Sequence, residues 1–182
     1  PHFWVPLDSI HERSKQDRVP YDIWHDQGYL NATPGKVIDY EYVAKQIAYY
    51  AELYKVTLVY DPHSFETFKK ELMKKDVKLR EPMMLKEFVE MCNEKVKTNF
   101  VNTPSKEIVL VSHSQDFSCM SPSLKDMERE LLNGTIRHGM HPVLTMCAAN
   151  AVTISDDNEK RRLTKKPKLV SGRIDGIVAM TM

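Results

Sequence analysis

Apolar residues recur along this chain in two rhythms, and the change from one to the other lays out alternating helices and strands. The clearest helix follows Asp39, which stands as its cap; Tyr42, Val43, Ile47, Tyr50 and Leu53 share one face of a 3.6-residue repeat. Next comes Val56–Tyr60, a continuous, β-branched run that predicts an internal strand buried on both faces. Residues 64 to about 75 read as a helix. Pro82 opens another, carried by Met84, Leu85, Phe88, Val89 and Cys92 to about residue 97. The break at 102–105 leads to a second buried strand at 108–111.

The flanks read in the same way. A short strand at 2–5 is closed by Pro6, Asp8 caps a helix to about residue 17, and Pro20 begins a shorter one that Gly28 stops. Residues 29–32 are extended before the turn Thr33-Pro34-Gly35. Ser121-Pro122-Ser123 reads as the start of a helix that ends at Asn133-Gly134, and 142–150 is helical. Residues 151–154 are extended, 156–168 read as a charged loop, and an apolar helix closes the chain. Strands alternating with helices imply an α/β domain with at least partly parallel strands, and no segment repeats.

Composition narrows the partners. The 182 residues are 42 % hydrophobic and 28 % charged, enough for one domain with a sizeable core. A net charge of only +1 means that a nucleic acid would be held by a local basic patch. No apolar run nears the roughly 18–20 residues of a membrane helix. Cys92, Cys119 and Cys147 form no Cys-x-x-Cys pair and read as reduced core thiols of a cytosolic protein. The chain opens at Pro1 on an aromatic, strand-like run, and its closing helix lacks a basic last turn. It reads as a piece of something longer.

Two carboxylates carry the candidate chemistry. Asp61 ends the strand Val56–Tyr60, the strand end where open α/β sheets place their sites. Asp175 lies in Gly172-Arg173-Ile174-Asp175-Gly176, in the first turn of the closing helix. Acids far apart in sequence, on a strand end and a helix start, suit a shared divalent-metal site and a nuclease. Each also has a plain reading, as a turn residue and as a partner of the helix dipole. The stretch Lys160-Arg161-Arg162-Leu163-Thr164-Lys165-Lys166-Pro167-Lys168, with Arg173 beyond, reads first as a solvated loop and second as a grip on DNA phosphates. His63 stands near Asp61, while His113, His138 and His141 have no zinc spacing and read as core or surface residues. Gly134 and Gly139 have Walker spacing, but Met140-His141 stands where Lys-Ser/Thr is required, which excludes an ATP site of that type.

An ordered series of short segments then resembles the large terminase subunit of tailed bacteriophages and prophages. It begins with Phe3-Trp4-Val5-Pro6, Arg13, Pro20-Tyr21-Asp22-Ile23-Trp24, Gly28-Tyr29-Leu30, Thr33-Pro34-Gly35 and Ile38-Asp39-Tyr40. Tyr60-Asp61-Pro62, Met120-Ser121-Pro122, Asn133-Gly134-Thr135-Ile136-Arg137-His138-Gly139 and Pro142-Val143-Leu144 follow. Asn150-Ala151-Val152 and Gly172-Arg173-Ile174-Asp175-Gly176 with Ala179 complete it. The resemblance spans nearly the whole chain and implies the C-terminal nuclease domain, without the packaging ATPase. It implies a ribonuclease-H-like α/β fold, a mixed sheet flanked by helices, with the N-terminal strand or strands missing from this record.

The resemblance further implies endonucleolytic cutting of concatemeric viral DNA during genome packaging in the bacterial host cytoplasm, with magnesium or manganese. Asp61 and Asp175 match two of the family's three metal-binding aspartates; the first would precede residue 1, so the fragment alone is expected to cut poorly. Lys165, Lys166, Lys168 and Arg173 would contact phosphates of double-stranded DNA. The small terminase subunit and the portal or procapsid are the implied protein partners, and no membrane is. The stretch 78–107 departs from the pattern and reads as an added helix. Two rivals stand beside this reading: another ribonuclease-H-like nuclease, such as a resolvase or transposase core, and an inactive prophage fragment that only binds DNA or procapsid.

Overall fold

The computed structural model describes residues 1–63, 65–95, 106–167 and 172–182. The expected helix start at Ser64, the helix end near residue 97, the break at 102–105 and Lys168 lie outside the described residues. The chain forms two compact units, one from 1–39 with 115–182 and the other from 40–114.

The first unit begins with β1 (Trp4–Pro6), a 3-10 turn (Leu7–Ser9), α1 (Ile10–Asp17) and α2 (Tyr21–Asp26). These lead to β2 (Asn31–Thr33), which pairs parallel with β1 from Trp4↔Asn31 to Pro6↔Thr33. Parallel strands need a crossover, and the two helices supply it. Val5, Ile10, Tyr21 and Leu30 are buried together, with Phe3, Val19, Trp24, Ala32 and Met146 packed around them. Gly28 turns the chain after α2 at φ +80, a backbone state that costs glycine little.

The second unit runs through α3 (Tyr40–Leu53), β3 (Val56–Tyr60), α4 (Phe65–Met73), β4 (Lys78–Leu79), β5 (Met83–Met84), α5 (Leu85–Lys95) and β6 (Glu107–Ser112). β6 is central. It pairs parallel with β3 in the register Val56↔Ile108 to Tyr60↔Ser112, with β4 at its start and with β5 at its end. Pro82 lies between β4 and β5, where its missing N–H interrupts the ladder on that side. Ile108, Leu110 and Val111 are fully buried, and the small faces of Ala44 and Ala51 let α3 approach Phe65, Leu72 and the strands.

β3 corrects one expectation. Among the described strands it has β6 as its neighbour on one side, and Thr57 is exposed, so the expected burial on both faces does not hold. The sheet around β6 is wholly parallel; antiparallel pairing among the described strands belongs to the hairpin below.

The rest of the first unit is α6 (Phe117–Leu132), α7 (Pro142–Asn150), β7 (Ala151–Ser155), β8 (Arg161–Lys165) and α8 (Asp175–Thr181). α6 begins earlier than expected, and Pro122 sits inside it. Asp116 is the cap, its carboxylate accepting the Cys119 N–H at 2.8 Å. The expected charged loop is an antiparallel hairpin instead, from Ala151↔Lys165 to Ser155↔Arg161. Its turn is tied by Asp156, whose Oδ1 accepts N–H groups of Asn158 (3.0 Å) and Lys160 (2.8 Å). No helix among the described residues is long and apolar enough to cross a membrane.

Candidate active site

In the second unit, β3 and β6 end side by side, and the chain leaves both strands at the carboxyl end of the sheet. Asp61 is the first residue beyond β3, half-buried, and its Oδ1 accepts the His63 N–H at 3.0 Å. The carboxylate thereby closes its own Asp-Pro-His turn. His113 follows β6, donates its backbone N–H to the Tyr60 carbonyl at 2.9 Å and is fully buried. Its Nδ1 lies 2.9 Å from the Ser114 carbonyl, which can only accept, so Nδ1 carries the proton. Of the core and surface readings left open for it, His113 takes the core one.

In the first unit, Asp175 is the exposed first residue of α8. Its carboxylate stands at the positive end of the helix dipole. Gly176 behind it is held against two side chains: a Cβ there would lie 2.6 Å from Phe3 Cε1 and 3.2 Å from Cys147 Sγ. Burial pushes the Cys147 thiol up, and the Asp175 carboxylate pushes the same way against the Gly176 and Ile177 N–H groups. Cys147 therefore packs as a neutral thiol. Gly176→Ala is expected to lower stability by about 1–2 kcal/mol in chemical denaturation, because overpacking outweighs alanine's better helix propensity. A variant as stable as the parent would show that Phe3 yields freely.

Arg173, expected at the DNA, also has a partner within its own unit. Its Nε donates to Asp17 Oδ2 at 3.2 Å, and the Asp17 side chain is only 2 % exposed. Tyr21 donates its hydroxyl to the same oxygen at 3.1 Å. Burial, and then the Asp17 carboxylate, push the Tyr21 hydroxyl up to about 12. A raised pKa stabilises the folded state below pH 10 and loses that contribution as pH climbs through about 12. Ultraviolet titration is expected to show Tyr21 ionising only near pH 12, and Tyr21→Phe to remove that late step. Asp17 escaped sequence reasoning: nothing local marks it, and its partner is 156 residues away.

The basic stretch divides by contact. Arg161 pairs with Glu128 at 2.9 Å, the Arg162 guanidinium lies 4.7 Å from the Phe117 ring centroid, and Lys160 Nζ reaches Ser118 Oγ at 3.2 Å. These three side chains fasten the hairpin to α6. Lys165 and Lys166 are exposed and join no ion pair among the described residues. His138 and His141 each bury Nδ1 without a hydrogen-bond partner among the described residues, and the His141 ring sits against Phe3 and Tyr29. Among the described residues, no three His, Cys, Asp or Glu side chains cluster closely enough to hold a metal ion. Asp61 belongs to one unit and Asp175 to the other.

Comparison with known proteins adds an independent line. Residues 93–182 match the terminase large subunit, endonuclease domain family. The whole chain is 36 % identical over 183 aligned residues to the "Terminase, large subunit" of Enterobacteria phage HK97, of which it covers 30 %. It is 23 % identical over 189 residues to "Protein YmfN" of Escherichia coli (strain K12), covering all of this chain and 34 % of that protein. The chain thus spans about a third of the length of the curated relatives it matches. Its structure superimposes on the crystal structure of the HK97 bacteriophage large terminase with a TM-score of 0.69 and 35 % identity, over 98 % of this chain and 31 % of that one. The fold is the ribonuclease-H-like α/β fold of such nucleases, and the chain resembles a terminase large subunit along its length, with residues 93–182 matching the endonuclease-domain family.

Proposed function

We propose that this chain is the part of a packaging terminase that cuts concatemeric viral DNA in the bacterial host, using magnesium or manganese. The observation that supports this most is whole-length similarity to a terminase large subunit, with Asp61 at a strand's carboxyl end and Asp175 at a helix start. Both candidate ligands are carboxylates, the hard oxygen donors that magnesium and manganese take. Asp61 is half-buried and Asp175 exposed, which leaves room for water or phosphate oxygens beside them. The ion would supply an acidified water and neutralise charge on the phosphate. Each carboxylate would offer an oxygen to such an ion, and the His63 N–H steadies the Asp61 side chain. Lys165, Lys166, Lys168 and Arg173 are proposed to lie along the DNA backbone, Arg173 while its Nε is held by Asp17. The partners are double-stranded DNA, the small terminase subunit and the portal of the procapsid.

The test uses a protein that carries these residues behind a terminase ATPase domain. Supercoiled plasmid is expected to be nicked when magnesium or manganese is present and to survive when the ion is chelated. Cleavage that persists under chelation would overturn the metal-dependent reading, and metal-supported DNA binding without nicking would favour the inactive prophage remnant.

A further inference from the structure

We propose that Asp17 and Asn150 are positioning residues for Asp175: through Arg173 they fix the backbone that leads into α8. The inference rests on the reading of Asp175 as a metal ligand. α8 is a seven-residue helix whose cap residue, Ile174, provides no side-chain hydrogen bond. Residues 172–174 have no regular structure, so the direction of Asp175 depends on tertiary contacts.

Those contacts converge on Arg173. Asn150 Nδ2 donates to the Arg173 carbonyl at 3.2 Å, and the Arg173 side chain donates to buried Asp17. Asn150 is also the last residue of α7, and its own carbonyl accepts the Lys166 N–H at 2.9 Å. One residue thus joins the end of α7, the exit from β8 and the entry to α8. On the other side of Asp175, Gly176 is wedged against Phe3 and Cys147. The carboxylate-bearing residue is bracketed on both sides.

Stability alone is a poor account of the Asp17–Arg173 pair. A buried ion pair often adds little over apolar residues of the same volume. Asp17 Oδ1 is moreover buried without a hydrogen-bond partner among the described residues, so the pair is not optimised as a staple. Holding a ligand-bearing segment in one place is the use that fits. Partners bonded directly to a metal ligand typically change affinity by about 10–100-fold when lost, and Asp17 and Asn150, acting two residues from the ligand, are expected at the low end of that range.

The experiment titrates manganese into isotope-labelled residues 1–182 and follows paramagnetic broadening of the Gly176 and Ile177 amide signals. Asp17→Asn and Asn150→Ala are each expected to weaken apparent affinity about tenfold. Both should also shift the metal-free amide signals of residues 174–177. Leu72→Ala, a core truncation in the second unit, serves as the stability control and should change neither. Unchanged affinity and unchanged metal-free signals in Asn150→Ala or Asp17→Asn would overturn the proposal, as would an equal loss in Leu72→Ala. Should Asp17→Asn fail to fold, Asn150→Ala decides alone. If Asp175→Asn itself leaves the broadening intact, the metal-ligand reading falls, and the metal-free signals still decide whether Asp17 and Asn150 set the segment.

Discussion

Replacing Asp61 or Asp175 by asparagine is expected to reduce metal-dependent nicking by more than about a hundredfold while leaving thermal unfolding nearly unchanged. Loss of an outer partner costs about 10–100-fold in affinity or activity, so loss of a direct ligand should exceed that range. Asparagine keeps the shape and, at position 61, still offers an oxygen to the His63 N–H, so the turn survives. At position 175 the side chain is exposed, and no packing is lost. The assay compares plasmid nicking by each variant behind a terminase ATPase domain. Full activity in either variant would move the search to Asp22, Asp39, Asp116 and Asp157. Asp116 already caps α6, and Asp22 already accepts from Ser14 at 3.2 Å and contacts His11 at 3.3 Å.

The second large effect concerns DNA retention. Changing Lys165, Lys166 and Lys168 together to alanine is expected to weaken binding about tenfold or more at low salt, with the gap closing as salt rises. Each phosphate contact releases about 0.9 counterion from duplex DNA, so three lost contacts should flatten the logarithmic salt dependence by up to roughly 2.7. Substituting Arg161 instead should cost stability, because its guanidinium is spent on Glu128. An unchanged salt slope in the triple variant would place the DNA grip elsewhere.

Much of this fold was legible because local chemistry and tertiary context agree. Proline at the first position of α7 and the apolar face of α3 mark those helices. Val56–Tyr60 reads as a strand, but its place in the sheet does not, since that depends on which segments pair with it from far along the chain. Ser121-Pro122-Ser123 looks like a helix start, yet Asp116 caps the helix earlier and proline is accommodated inside. Arg161, Arg162 and Lys165 look like loop residues, and they become a strand because Glu128 and Phe117 on α6 receive the two arginines. The candidate site divides along the same line. Asp61 and Asp175 are readable from their places at a strand end and a helix start; Asp17 and Asn150 are readable only once distant segments meet.

The first unit is assembled from both ends of the chain, with the second inserted between them. During synthesis, 40–114 emerges as one contiguous stretch and can collapse on itself while the ribosome is still working. Residues 1–39 must wait. Phe3 has no Gly176 to wedge, and Asp17 no arginine to neutralise it, until residues 173–176 have been translated. Closing so long a loop is entropically slow, and until then the Val5, Ile10, Tyr21 and Leu30 cluster is only partly covered. The placing of the candidate ligand Asp175 therefore waits on a closure that spans the whole inserted unit.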